Sequence, residues 1–209
     1  MSDPHRITSV EALRTIYREP SQLVVDKVRT RLDEATIAFA NSCRFAVLAT
    51  EGPGRLPDAS PRGGPSGFIR ALDDQHLAIA DLGGNNRLDT LQNIVRNGRL
   101  GVILVMPGRS ETVRLNGAAW VTADPVVLHG FALPKLPKTA IVLRVATTFV
   151  HCAKAFIRSG MWDAEAWAAL AHAPDGAAIL SCQRVADADA GTMRALLDQS
   201  YATDLAAER

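Results

Sequence analysis

Among the 209 residues of the chain, several features that mark common functional classes are missing. There are three cysteines, Cys43, Cys152 and Cys182, an odd number, widely spaced and in no CxxC pair. That argues against a disulfide framework and a thiolate zinc site and favours reduced thiols. The longest apolar runs, such as Leu100 to Met106 and Ala140 to Leu143, are strand-sized and too short to span a bilayer. The opening stretch MSDPHRITSVEALR has no apolar core of the kind a signal peptide needs. A cytoplasmic protein with no membrane partner is therefore expected. Neither charge sign dominates: the net charge is +1, so no global field draws nucleic acid or anionic lipid, and any anion site must be local. The five histidines, His5, His76, His129, His151 and His172, show no HExxH or other close metal spacing, and no metal is expected. His151 and Cys152 are adjacent, so on a strand they point to opposite faces and make a poor nucleophile pair. No GxGxxG, GxxxxGK[ST] or G-x-S-x-G occurs, which disfavours a Rossmann site, a P-loop and an α/β-hydrolase.

What remains is ordinary globular composition, 47% hydrophobic and 22% charged, with no Gly/Ser/Pro-rich linker. One domain over residues 1–209 is predicted: a helical arm over 1–40, a β-rich body over 41–150 and C-terminal helices over 151–209. Thr8-Ser9-Val10-Glu11 reads as a capping box opening a first helix. Val24, Val28, Leu32, Ala35 and Phe39 form one apolar stripe, which predicts a second helix across them. From residue 44 the texture turns to short β runs: 44–50, a hairpin of 67–72 and 76–81 turning at Asp73-Asp74, 100–106, 111–116, 118–123 and 140–149. A helix of about 88–96 interrupts them, and Asp124-Pro125 caps another. Gly117 marks a sharp bend or bulge. The stretch Pro61-Arg62-Gly63-Gly64-Pro65 is too rich in glycine and proline for a regular central strand. Alternating βαβ units are missing, so the pattern favours a closed or half-closed antiparallel barrel, which hides strand edges.

Two segments carry candidate chemistry. In Gly83-Gly84-Asn85-Asn86-Arg87-Leu88-Asp89-Thr90-Leu91, a flexible glycine pair leads into amides, a guanidinium and a hydroxyl at the first turn of a helix. Free N–H groups and the positive end of the dipole point the same way there. The same residues also suit an ordinary helix cap, so both readings stay open. In Ser60-Pro61-Arg62-Gly63, the Arg62 fork sits where it can meet a phosphate oxygen, or simply lie at the surface of a loop.

Taken together, strand, DASPRGG, hairpin, D-x-x-G-N-N-R-L-D-T-L-x-N-I, strand and PGR-x-E-T-x-R-x-NG resemble the flavin-binding split barrels of the pyridoxamine 5′-phosphate oxidase superfamily over roughly residues 40 to 125. HCAKAFIRSGMW (His151 to Trp162) resembles a motif of an FMN-binding branch of it. The resemblance implies a six-stranded antiparallel split β-barrel, mainly β with flanking helices, and a homodimer holding noncovalent FMN at its interface. It implies that Arg62 binds the phosphate and that Ser60, Pro61 and Gly63 set backbone beside the ring or ribityl chain. Ile79 and Ala80 would lie along the isoalloxazine and ribityl chain, and Asn86, Arg87 and Thr90 would hold the phosphate. Thr112 would sit near the ring, with Lys154, Arg158 and Trp162 arriving from the partner subunit.

The tail MRALLDQSYATDLAAER departs from the family: it lacks the tryptophan and Arg-Leu-x-Pro segment with which true pyridoxamine-phosphate oxidases grip their substrate. Two function classes follow from the resemblance. One is an FMN-dependent oxidoreductase acting with a small-molecule substrate or electron donor. The other is a non-catalytic module that binds or senses flavin, haem or a deazaflavin.

Overall fold

The computed structural model describes residues 3–206. Its helices are α1 (Val10–Ile16), α2 (Gln22–Asp26), α3 (Glu34–Ser42), α4 (Asp89–Asn97), α5 (Pro125–His129), α6 (Lys154–Ser159), α7 (Ala164–Trp167), α8 (Gly176–Cys182) and α9 (Ala190–Ala206). Its strands are β1 (Phe45–Glu51), β2 (Pro57–Gly63), β3 (Ile69–Ala71), β4 (His76–Ala80), β5 (Arg99–Val105), β6 (Thr112–Thr122) and β7 (Ala140–His151). Among the described residues no helix is long and apolar enough to cross a membrane.

The strands form one antiparallel sheet in the order β2-β1-β5-β6-β7-β4-β3, seven strands where six were expected, with no ladder between β2 and β3. Two elements differ from the β runs read in the sequence. Residues 57–63 form an edge strand, not a central one: Pro57 and Pro61 stand four apart, so their missing N–H groups fall on one side of β2, where an edge needs no partner. The runs 111–116 and 118–123 are a single strand, β6, whose register against β7 slips at Asn116/Gly117 in the bulge that Gly117 signalled.

The sheet is strongly curled. Laid flat, seven strands would hold the outer two about 29 Å apart. The chain runs from Gly63 at the end of β2 to Ile69 at the start of β3 in six residue steps, which reach about 22 Å at most. The edges are therefore drawn together around a core that includes Leu48, Phe68, Leu77, Leu104, Leu115 and Leu143. Each such side chain contributes about 1.5–3 kcal/mol on burial. The end of α3 bridges toward β3: the Asn41 carbonyl accepts the Gly67 N–H at 3.2 Å and its side-chain oxygen accepts the Ala71 N–H at 2.9 Å.

The predicted helix through Val24 and Phe39 is two helices. Between them Arg29 exchanges backbone hydrogen bonds with Thr148 of β7, at 2.9 and 2.8 Å, and Asp33 then caps α3 by accepting the Thr36 N–H. The apolar stripe was real, but β7 and a new cap intercept the chain before one helix can use it.

Candidate phosphate site at the split of the sheet

Alternation along β2 puts Asp58, Ser60 and Arg62 on one face, half-buried, while Pro57, Ala59, Pro61 and Gly63 are exposed. The half-buried face meets the loop 81–88 and α4. Asn93, buried on α4, donates from Nδ2 to Thr50 Oγ1 at 3.0 Å and to Asp58 Oδ2 at 3.3 Å, and Thr50 Oγ1 donates to Asp58 Oδ2 at 3.1 Å. Arg62 Nη1 donates to Ser60 Oγ at 2.6 Å and to the Pro61 carbonyl at 2.9 Å. Across the split lies Asp81, just past β4. Burial pushes its carboxyl above the usual range, and the positive charges of Arg62 and Lys138 pull in the opposite direction. Gly64 makes this approach possible: a Cβ there would fall within 2.8 Å of the Phe68 and Leu82 side chains.

The loop then enters α4 in an unusual way. Asn85 Oδ1 accepts the Arg87 N–H at 3.1 Å, and Asn86 and Leu88 both have left-handed backbone, with φ of 57° and 59°. Asparagine tolerates this; for leucine it costs on the order of 1–3 kcal/mol. Leu88 is also the N-cap residue and supplies no side-chain acceptor, so no side chain caps the helix start. One residue into the helix, the Thr90 hydroxyl is buried and, among the described residues, has no hydrogen-bond partner, at a cost of about 1–3 kcal/mol. Arg87 is exposed, and its Nε donates to Asp89 Oδ2 at 2.8 Å. That bond, the Asp89 charge and then the Asp58 charge hold Arg87 more firmly protonated. An uncapped helix start, an orphaned hydroxyl and two guanidinium groups fit a phosphate.

Ser60 and Arg62 thus share the half-buried face of β2 with Asp58, which Asn93 of α4 bonds and whose charge reaches Arg87, while the Arg62 charge reaches Asp81 at the head of the loop. Thr90 lies in the first turn of α4, and Asn86 is exposed on the same loop. Pro61 and Gly63 face away from α4 along β2. Ile79 and Ala80 are fully buried, their side chains in the core. Thr112 is buried at the start of β6, opposite His151. Lys154, Arg158 and Trp162 are exposed on and just after α6. Trp162 stacks on Phe156 with ring centroids 5.7 Å apart and donates from Nε1 to the Arg109 carbonyl at 2.8 Å. Among the described residues no hydrogen bond or ion pair joins these three to Arg62 or Arg87. The register sets Arg62, Ala46, Leu104, Val113 and Val150 in one row, so α6 hangs from the end of the sheet that carries Arg62.

Sequence reasoning missed Asp58, Asp81 and Asn93. Asp58 was legible in principle, since Asp58, Ser60 and Arg62 stand at i, i+2 and i+4 once residues 57–63 are read as a strand.

Residues 32–152, more than half of the chain, match the family model described as Pyridoxamine 5′-phosphate oxidase. No curated protein sequence matches the chain. Among solved structures, HupZ of Group A Streptococcus is similar at 19% identity over 57% of this chain and 93% of that one, with a TM-score of 0.46. A candidate pyridoxamine 5′-phosphate oxidase of Lactobacillus delbrueckii is 20% identical over 58% and 95%, with a TM-score of 0.45. A pyridoxamine 5′-phosphate oxidase-related, FMN-binding protein of Nostoc punctiforme is 14% identical over 50% and 72%, with a TM-score of 0.38. Assignment rests on the family match, which takes in every strand from β1 to β7, Arg62 and the loop 81–88. By that match the chain belongs to the pyridoxamine 5′-phosphate oxidase family.

Proposed function

We propose that the chain binds FMN by its phosphate at the start of α4, in a split-barrel homodimer that acts as a flavin-dependent oxidoreductase on a small molecule. The observation that supports the reading is an uncapped start of α4 whose Thr90 hydroxyl is buried and, among the described residues, unpartnered, on the helix whose Asn93 bonds Asp58 of the strand that carries Arg62. Arg62 and Arg87 would neutralise the phosphate, Thr90 would donate to it, and the first-turn N–H groups of α4 would complete its shell. Lys154, Arg158 and Trp162 would close the partner copy's site. Bound flavin would supply the electron-accepting chemistry, and the protein its orientation and electrostatics. The purified protein should be yellow and release FMN, not FAD, on heating. A colourless protein that takes up no added FMN overturns the reading. Reduction of the bound flavin by NADH or NADPH under anaerobic conditions supports the enzyme; flavin that no reductant or substrate turns over indicates a binding module.

Asp81 gives the site a signed pH dependence. Its folded pKa lies above the unfolded value, so the folded state favours the proton, and the ionised carboxylate opposes an anion beside Arg62 once pH exceeds that raised pKa. Asp81→Asn should tighten FMN binding about fivefold near pH 8, as for a charge interaction of ~1 kcal/mol. The advantage should shrink as the pH falls and the native carboxyl becomes protonated. An advantage that stays constant down to acid pH, in parallel titrations of both proteins, speaks against Asp81.

Pyridoxine 5′-phosphate is expected to be a poor substrate. A substrate phosphate needs its own cationic clamp to hold the reacting carbon close to the ring. In the tail, Arg194 is already engaged by Asp175 at 3.5 Å and Asp198 at 3.3 Å. Turnover of pyridoxine 5′-phosphate to the aldehyde at about 1 s⁻¹ or faster by flavin-loaded protein contradicts this.

A further inference from the structure

Two buried polar residues, Thr90 and Asn93, stand three apart on α4 and so face the same way. Apolar packing through Ile94 and Leu91 holds α4 on the core, but such packing is non-directional. Hydrogen bonds fix direction, and Asn93 supplies them. Its Nδ2 donates to Thr50 Oγ1 of β1 at 3.0 Å and to Asp58 Oδ2 of β2 at 3.3 Å, while Thr50 Oγ1 donates to the same Asp58 oxygen at 3.1 Å. Among the described residues, the bond from Asn93 to Asp58 is the one hydrogen bond between α4 and β2.

A carboxylate is a poor choice if fastening the helix is all it does. Asp58 is half-buried, its charge reaches Arg87, and it opposes any anion held nearby. A well-packed apolar contact would secure α4 without that repulsion. What the hydrogen-bonded carboxylate adds is a fixed register. Ser60 and Arg62 follow Asp58 on the same face of β2, about 7 and 13 Å along the strand, so the bond that sets Asp58 against α4 sets them too.

We propose that Asn93 and Asp58 are positioning residues for the phosphate site: their bond, braced by Thr50, sets the first turn of α4 against Ser60 and Arg62. It thereby determines how strongly the protein prefers a flavin phosphate ester to the unphosphorylated flavin. The inference rests on the FMN reading above and adds what makes that site selective for the ester. Both bonds to Asp58 end on Oδ2, so the single amide oxygen of an asparagine, with its two lone pairs, can accept both. An alanine there removes the oxygen, yet Asn93 keeps Thr50 as an acceptor and is not orphaned.

The test titrates FMN and riboflavin, by flavin fluorescence, into the full chain and into Asp58→Ala, Asp58→Asn and Asn93→Leu. Riboflavin shares the ring and ribityl chain but has no phosphate, so only a phosphate-specific effect changes the ratio of the two affinities. Asp58→Ala and Asn93→Leu should lower the preference for FMN about tenfold, as for one misaligned charged hydrogen bond, with riboflavin affinity near that of the parent. Asp58→Asn should retain most of the preference. Where riboflavin binds too weakly to titrate, inorganic phosphate competing with FMN gives the same comparison. Affinities for both flavins that fall by one factor reveal a purely structural role and overturn the inference, as does an unchanged preference in Asp58→Ala. An Asp58→Asn that loses as much as Asp58→Ala overturns it too, since the charge and not the bond is then at work. If Asn93→Leu fails to fold, the two Asp58 variants decide alone. A parent chain that binds FMN no better than riboflavin, or binds neither, overturns the FMN reading and this inference with it.

Discussion

Alanine at both Arg62 and Arg87 is expected to weaken FMN binding by about 10²- to 10⁴-fold while the protein stays folded. A hydrogen bond to a charged group contributes about 1.5–3 kcal/mol, which is roughly 10- to 100-fold for each arginine. Neither side chain supports the core: Arg62 is half-buried at a sheet edge, and Arg87 is exposed and ion-paired with Asp89. Thermal unfolding of the flavin-free variants should therefore stay close to that of the parent. Arg62→Lys should recover part of the loss, because a single ammonium keeps the charge but not the planar fork. Flavin fluorescence titration checks all of these, and undiminished occupancy in the double variant would place the phosphate elsewhere.

Gly117→Ala is expected to act on the fold. A Cβ at this position would collide with the backbone carbonyl of Arg144 in β7, and backbone cannot step aside as a flexible side chain can. The clash falls at the register slip that joins the two halves of β6 to β7, through which β4 and β3 are attached to the rest of the sheet. Overpacking usually costs about 1–3 kcal/mol, and a backbone clash at a central strand belongs at or above the top of that range. For a chain of this size that lowers the melting temperature by roughly 10 °C. Thermal unfolding within about 2 °C of the parent would mean that the bulge relaxes freely.

Much of the fold was legible because local chemistry and tertiary structure agree. The Asp73-Asp74 hairpin turn, the Asp124-Pro125 helix start and the bulge at Gly117 each depend on residues within a few positions. Where the reading failed, a distant partner decided. Residues 61–65 read as too rich in glycine and proline for a central strand, and β2 is indeed an edge strand, but that it already starts at Pro57 could not be read locally. The helix through Val24 broke because Arg29 found Thr148, far along the chain. The candidate site divides in the same way. Ser60, Arg62, Arg87 and Thr90 stood out by type, whereas Asp81 acquires its role from burial and from Arg62 and Lys138, which no spacing encodes.

The open ladder between β2 and β3 also bears on how the chain avoids uncontrolled growth. A bare strand edge is a template for another strand, and repeated pairing of that kind leads to fibres. Both edges here are poor templates. Pro57 and Pro61 remove donors from β2, and β3 offers only three residues, one of them already bonded to Asn41. The opening beside the loop 81–88 is thereby kept from recruiting foreign backbone.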